Sequence, residues 1–454
     1  MTAARPMKEM LDTLAPRVSL HMPGHKGKPL FGEGNSFQAD TTELPVTDDL
    51  YAPSGAIAKA QSLMADAAGA GHSLMLTGGA TAGIHAMMMY ALRPGETVIL
   101  PRNAHLSVIN ACILGDIHPV FVPCSITLDG YAHVPAESFL QAIQESPQAR
   151  AVLVTRLDYY GGMVPLERIA RAAHDAGMRL LVDEAHGAHL PWMEGIKSAG
   201  ACGADLWVQS AHKTLPALTG AAWLHLKQEE DENRARRMLR MVQTSSPGFS
   251  ILKSLDDARA WMEDNGRQAL FDLQQLLQEI RLQMQSWGYR DAHEIWRNLP
   301  LSFDPTRLVI DAPQGGYALA QSLQKQGIDV EMADERRVVC IFTVMDGPET
   351  AERLLSALFS SACQPKLQPD NKPTAFPLPR RLMPLRQAAL SDLQTVSFKE
   401  AVGRTAGASA GLYPPGIPLV TPGEEITPEV VSLIASAPPE SRFGLSAGQF
   451  LCVQ

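Results

Sequence analysis

No stretch of about eighteen uncharged apolar residues occurs in the chain, so nothing in the sequence predicts a membrane-spanning helix. The N-terminal "MTAARPMKEMLDTLAPRVSL" also lacks the continuous apolar core of a signal peptide, and the expected location is the cytoplasm. Basic runs are missing too. With a formal net charge of −9 and no block of Lys or Arg, the chain has no surface for neutralising phosphates, so neither nucleic acid nor an anionic membrane is expected as a partner. An acidic surface suits a cationic small substrate instead. Cysteine is sparse, and Cys112, Cys124, Cys202, Cys340, Cys363 and Cys452 form no CxxC pair, which argues against a zinc ribbon or redox dithiol and leaves them as small core residues.

What is present is a long globular chain. Its 454 residues exceed the size at which one core stops growing, which predicts a large domain with smaller ones attached. From roughly residue 70 to residue 225, short β-rich runs alternate with helical patterns: "ETVILP", "PVFVPC", "ARAVLVTR", "MRLLVDEA", "DLWVQSA" and "AAWLHL". Such alternation predicts an α/β fold with a mainly parallel sheet. "PLERIARAAHDAG" has apolar residues at helical spacing and a Gly stop directly before "MRLLVD", one complete step from helix to strand. Residues 228–290 read as helical. A second α/β pattern follows from Leu299 to Ser360, and the Pro-rich "SACQPKLQPDNKPTAFPLP" reads as a linker. The expected division is 1–70, an N-terminal segment; 71–290, the major cofactor-binding domain; 291–365, a small α/β domain; and 366–454, linker and C-terminal domain.

The residues that carry chemistry cluster at predicted strand ends. Asp183 closes the strand in "LLVDEAHGAH", and Lys213 follows the next strand in "VQSAHKTLP". In an open parallel sheet, residues beyond the carboxyl ends of adjacent strands project into one crevice, so the two can meet around a small molecule. A lysine that forms an imine with an aldehyde and a carboxylate that pairs with a pyridinium nitrogen are what pyridoxal 5'-phosphate (PLP) asks of a protein. Taken singly, each has a plain reading, a helix cap for the Asp and a solvated amine for the Lys. In "MLTGGATAGIHAMM", small residues lead from a strand into a helix, and Gly78, Gly79, Ala80 and Thr81 can offer N–H groups and a hydroxyl to a phosphate at the helix N-terminus. Ser210 and His212 flank the lysine and can complete that cradle. His105, in "LPRNAHLSV", is a candidate to lie on the cofactor ring or, more plainly, a loop histidine bonded to backbone. His186 is a candidate for the ring's phenolic oxygen, and His189 reads as structural. No acidic pattern accompanies these histidines, so no metal site is expected.

These motifs are specific enough for a resemblance. "HMPGHKG", "TELPVTDDLYAPSG", "TGGATAGIHAM", "PRNAHLSV", "VDEAHGAH", "QSAHKTLPALTG", "TSSPGF" and "YPPGIPLVTPGE" together resemble the short bacterial form of the Orn/Lys/Arg decarboxylases. The resemblance implies PLP fold type I with the aspartate-aminotransferase architecture. It implies that Lys213 is the Schiff-base lysine, Asp183 the ring-nitrogen partner and His105 the stacking residue, with Ser210, His212 and the turn around Thr81 on the phosphate. It also implies a homodimer, or a higher homo-oligomer, whose sites form at the subunit interface, so that Gly24, His25, Asp48 and Asp49 reach the neighbouring subunit. The implied activity is α-decarboxylation of a basic amino acid, arginine ahead of lysine or ornithine, in polyamine biosynthesis; the alternatives are another PLP reaction on a non-basic amino acid, as decarboxylase, β-eliminating lyase or aminotransferase, and an inactive PLP-binding paralogue. Arg404 is a candidate for the substrate carboxylate or, more plainly, a solvated or structural Arg. The chain departs from the family pattern at Leu106, Leu157 and Leu412, and at Ala408, where members usually carry Glu. The last departure bears on the substrate rather than on the cofactor.

Overall fold

A computed structural model of the chain describes residues 2–14, 22–23, 39–362, 376–412 and 416–454. The expected strands form as β1 (His72–Leu76), β2 (Thr97–Pro101), β3 (His118–Val122), β4 (Ala151–Thr155), β5 (Arg179–Asp183), β6 (Leu206–Gln209) and β7 (Ala222–Leu226). They are rich in Val, Leu and Ile, and β6 and β7 are buried at every position, as strands covered on both faces must be. Between β4 and β5 the helix Leu166–Asp175 buries Leu166, Ile169, Ala170 and Ala173, the spacing that its sequence predicts.

The chain divides into two compact units. The first comprises Met1–Tyr90, Leu181–Leu277 and Phe342–Pro348. In it β5 pairs with β6 in parallel, β6 with β7 antiparallel, and β7 with β1 antiparallel. The reversal of β7 follows from its connection. Residues 210–221 hold only the short helix Ala211–Thr214, not the full helix that usually carries the chain back for another parallel strand. Because two reversals cancel, β1, β5 and β6 run the same way and end at one edge. In this unit the helices Pro6–Asp12 and Ala56–Ala68 pack on Phe249–Trp261, and the Met7 amide donates to the buried Asp256 carboxylate at 3.0 Å.

The second unit comprises Ala91–Leu180, Gln278–Ile341 and Glu349–Gln454. There β2 pairs in parallel with both β3 and β4. The region expected as a small α/β domain does form helices and strands, but its sheet is antiparallel, built on Arg307–Asp311 against Arg337–Ile341. The C-terminal part closes a separate core in which Val396, Val420, Ile426, Val430 and Phe450 are buried.

Candidate active site

β5 and β6 bring the first two expected residues to one edge. Asp183 lies opposite Val208, and the ladder runs on past both strands, with the Glu184 amide donating to the Val208 carbonyl at 3.0 Å and the Ser210 amide to that of Ala185 at 3.1 Å. The two exit segments therefore leave side by side. Asp183 is 4% exposed, and its Oδ1 accepts from the Ala185 amide at 3.1 Å. Lys213 sits in the short helix Ala211–Thr214, its Nζ 3.1 Å from Nε2 of the buried His186. His186, expected at the ring oxygen, is thus found on the lysine nitrogen. His189 is buried in the same segment.

The end of β1 adds the third component. Thr77 and Gly78 donate their amides to Gln243 Oε1, at 2.8 and 3.4 Å, and the Gly79 amide donates to the Gly220 carbonyl at 2.8 Å. These bonds change the expected cradle, because the N–H groups of Gly78 and Gly79 are used within the protein. What Gly79 supplies is conformation: its φ of 69° lies in the left-handed region, where a side chain is strained. The helix Gly79–Ala91 starts there, and the amides of its first turn have no acceptor inside the helix, so Ala80 and the exposed Thr81 could hold an anion. Ser210 Oγ and His212 Nδ1 lie 3.2 Å apart, and the same nitrogen is 3.1 Å from the Ala221 carbonyl. Lys213's helix is thereby tied to the start of β7, next to the Gly220 carbonyl that holds Gly79.

In the second unit, His105 is the N-cap of the helix Leu106–Gly115, its Nδ1 accepting from the Ser107 amide at 3.1 Å. The plainer of its two readings is therefore present. Directly after β2, Arg102 forms a bidentate pair with Glu424, both bonds 3.0 Å and both side chains 1% exposed.

The weaker candidates fall elsewhere. Asp48 has a φ of 72°, and its carboxylate accepts from the amides of Asp49, Ser54, Gly55, Ile57 and Ala58 at 2.8 to 3.4 Å, a cap on the helix Ala56–Ala68. Asp49 Oδ1 accepts from the Tyr51 amide at 2.8 Å. Arg404 follows the helix Phe398–Ala401, and Ala408 lies just before the strand Ala410–Leu412. Gly24 and His25 lie outside the described residues. Sequence reasoning missed Gln243, Gln209, Glu184 and the Arg102–Glu424 pair. The available signal was a polar residue inside an apolar strand run, as in "LWVQ".

An amine on a strand-end helix, a buried carboxylate and a helix N-terminus with a hydroxyl, all at the same sheet edge, form a donor set that fits PLP. Among the described residues, no group of three or more His, Cys, Asp or Glu is placed to hold a metal ion, and no helix is long and apolar enough to cross a membrane.

Comparison with known proteins points to the same cofactor. Residues 16–308 match the Orn/Lys/Arg decarboxylase major domain, and residues 383–436 the C-terminal domain of the same family. The chain is 34% identical to the Bacillus subtilis protein YaaO over 92% of its own length and 90% of that protein's. It is 33% identical to a Bacillus subtilis arginine decarboxylase, again over 92% and 90%. A solved Francisella novicida lysine decarboxylase superposes with a TM-score of 0.83 at 19% identity, covering 99% of this chain and 81% of the other, so the two share a fold.

Proposed function

The chain belongs to the Orn/Lys/Arg decarboxylase family and is a PLP-dependent amino-acid decarboxylase, and from that premise we propose that it releases CO2 from a basic amino acid, arginine ahead of lysine and ornithine. The observation that carries the reading is Lys213 Nζ held against His186 at the strand edge where the buried Asp183 also emerges. When bound, PLP supplies the electron sink for the pair released as the bond between the α-carbon and the carboxylate breaks.

The chain's own residues do the rest. Lys213 would hold the cofactor through its aldehyde, and His186, 3.1 Å from Nζ, would hold or move a proton at the lysine nitrogen. Asp183 would pair with the ring nitrogen and favour its protonated form, since a neighbouring carboxylate stabilises a cation. Ala80, Thr81, Ser210 and His212 would take the phosphate, and Gly79 shapes their turn. For the distal cation, Asp49 is the better of the acidic pair, because the Asp48 carboxylate is spent on five backbone amides. A cytoplasmic homodimer serving polyamine biosynthesis belongs to the same proposal.

The arginine preference is supported by the kinship with arginine decarboxylases, by the net charge of −9 and by the bidentate geometry that a guanidinium offers a carboxylate. Ala408, standing where family members usually carry Glu, favours a second reading in which the substrate side chain is neutral. The test is CO2 release and kcat/KM with arginine, lysine, ornithine, leucine, methionine and tyrosine. Neutral substrates should fall behind by at least about a hundredfold, as expected when a carboxylate placed for the substrate cation is left without its partner. A neutral amino acid in first place overturns the basic specificity while leaving the PLP site intact.

A further inference from the structure

Behind the candidate site, four buried polar side chains cross the first unit from strand to strand. Ser73 on β1, His225 on β7, Gln209 on β6 and Glu184 just after β5 are each at most 2% exposed. Ser73 Oγ lies 2.7 Å from His225 Nδ1, and His225 Nε2 lies 3.1 Å from Gln209 Oε1. Gln209 Nε2 donates to Glu184 Oε2 at 2.7 Å and to the Gly187 carbonyl at 3.1 Å.

The direction of every bond can be read from one end. A carboxylate and a carbonyl can only accept, so the amide nitrogen of Gln209 must face them and its oxygen must face His225. His225 then carries its proton on Nε2, and its bare Nδ1 accepts from the Ser73 hydroxyl. Burial pushes the His225 imidazole down to about 3, which keeps it in this neutral form.

Gln209 thus grips both ends of the turn Glu184–Gly187, in which His186 sits. The turn closes through the Gly187 amide on the Glu184 carbonyl at 2.8 Å, and the Ser210 amide holds the Ala185 carbonyl between them. A Cβ on Gly187 would meet Glu184 Cγ at 2.4 Å, so the turn closes this tightly only around glycine. We propose that Gln209, oriented through His225 by Ser73, is a positioning residue that holds His186 against Lys213 Nζ. The inference rests on the reading of Lys213 as the cofactor lysine and adds a device for keeping its neighbour in place.

The experiment begins with wild-type protein treated with PLP and borohydride, followed by peptide mass analysis. A label at Lys213 establishes the lysine. No label there overturns that reading and this inference with it. With the lysine established, Gln209→Met, close in size but without the amide, should lower kcat by about tenfold to a hundredfold, the range expected for a misplaced group, with KM held within about twofold. Amide hydrogen exchange at Gly187 and Ser210 should also quicken in the cofactor-free variant. A lowered melting temperature with kcat and exchange unchanged overturns the inference and leaves the PLP site standing. Should Gln209→Met fail to fold, Ser73→Ala removes only the far end of the chain. It should move kcat and exchange in the same direction by less, and no movement in either is again the overturning result.

Discussion

Replacing Glu424 with alanine strands a guanidinium in the core of the second unit. Arg102 donates to Glu424 through Nη1 and Nη2, both at 3.0 Å, and its remaining bonds go to the carbonyls of Pro377 at 3.0 Å and Leu419 at 2.9 Å. Those carbonyls carry no charge to offset the cation, and the Phe121 ring, 4.7 Å from the guanidinium carbon, offsets little. Breaking one side of a buried pair costs about 3–5 kcal/mol, and here the Thr421 amide also loses its acceptor, a 2.8 Å bond to Glu424. We expect Glu424→Ala to lose about 4 kcal/mol. Removing both charges in Arg102→Met with Glu424→Leu should lose less, about 3 kcal/mol, since the fully buried cation is gone and what then remains unpaired is backbone and the partly exposed Arg381, 3.5 Å from Glu424. The assay is urea unfolding followed by tryptophan fluorescence, read as a double-mutant cycle. If Glu424→Ala lies within about 1 kcal/mol of wild type, the pair is worth no more than an exposed one and the reasoning fails.

Lys213→Ala should abolish the visible absorption band of the lysine-bound cofactor, and an unchanged spectrum would exclude this lysine. Asp183→Asn should still bind PLP yet lose nearly all of kcat, with KM little moved, because a neutral amide cannot hold the ring nitrogen's proton; wild-type turnover would reduce Asp183 to a turn-forming residue. Burial holds His225 at about 3 in the folded protein against an ordinary value near 6.5. The unfolded chain therefore takes up a proton that the folded one refuses, and this part of the stability, present above about pH 6.5, is lost as pH falls toward 3 at about 1.4 kcal/mol per pH unit. Urea midpoints from pH 7 to pH 4 should fall more steeply for wild type than for His225→Gln, and parallel curves would refute the assignment.

The strands and the two principal residues are legible because each is marked locally. An apolar run of four or five residues ending in Asp183, and another followed at once by Ser210 and Lys213, need only the rule that parallel strands end at one edge. What escapes the sequence is whatever depends on register or on distance along the chain. Ser73, His225, Gln209 and Glu184 each look like an isolated polar interruption of a hydrophobic run, and only the antiparallel return of β7 sets Ser73 opposite His225. That return is itself readable in principle from the short connection before Ala222, whereas the partners that the reversal creates are not. Arg102 and Glu424 stand 322 residues apart, beyond any local pattern. Asp48 shows the opposite failure. As one of two neighbouring acids in a segment resembling an active-site motif it suggests cation recognition, yet its left-handed backbone folds the carboxylate back onto the amides of its own loop and helix. A charged residue can be read for its charge only when its hydrogen bonds are not already committed, and backbone conformation decides that commitment. The chemistry that needs a particular atom type, an amine or a buried carboxylate, is therefore legible in this chain. The side chains that hold those atoms in place become visible only once the strands are paired.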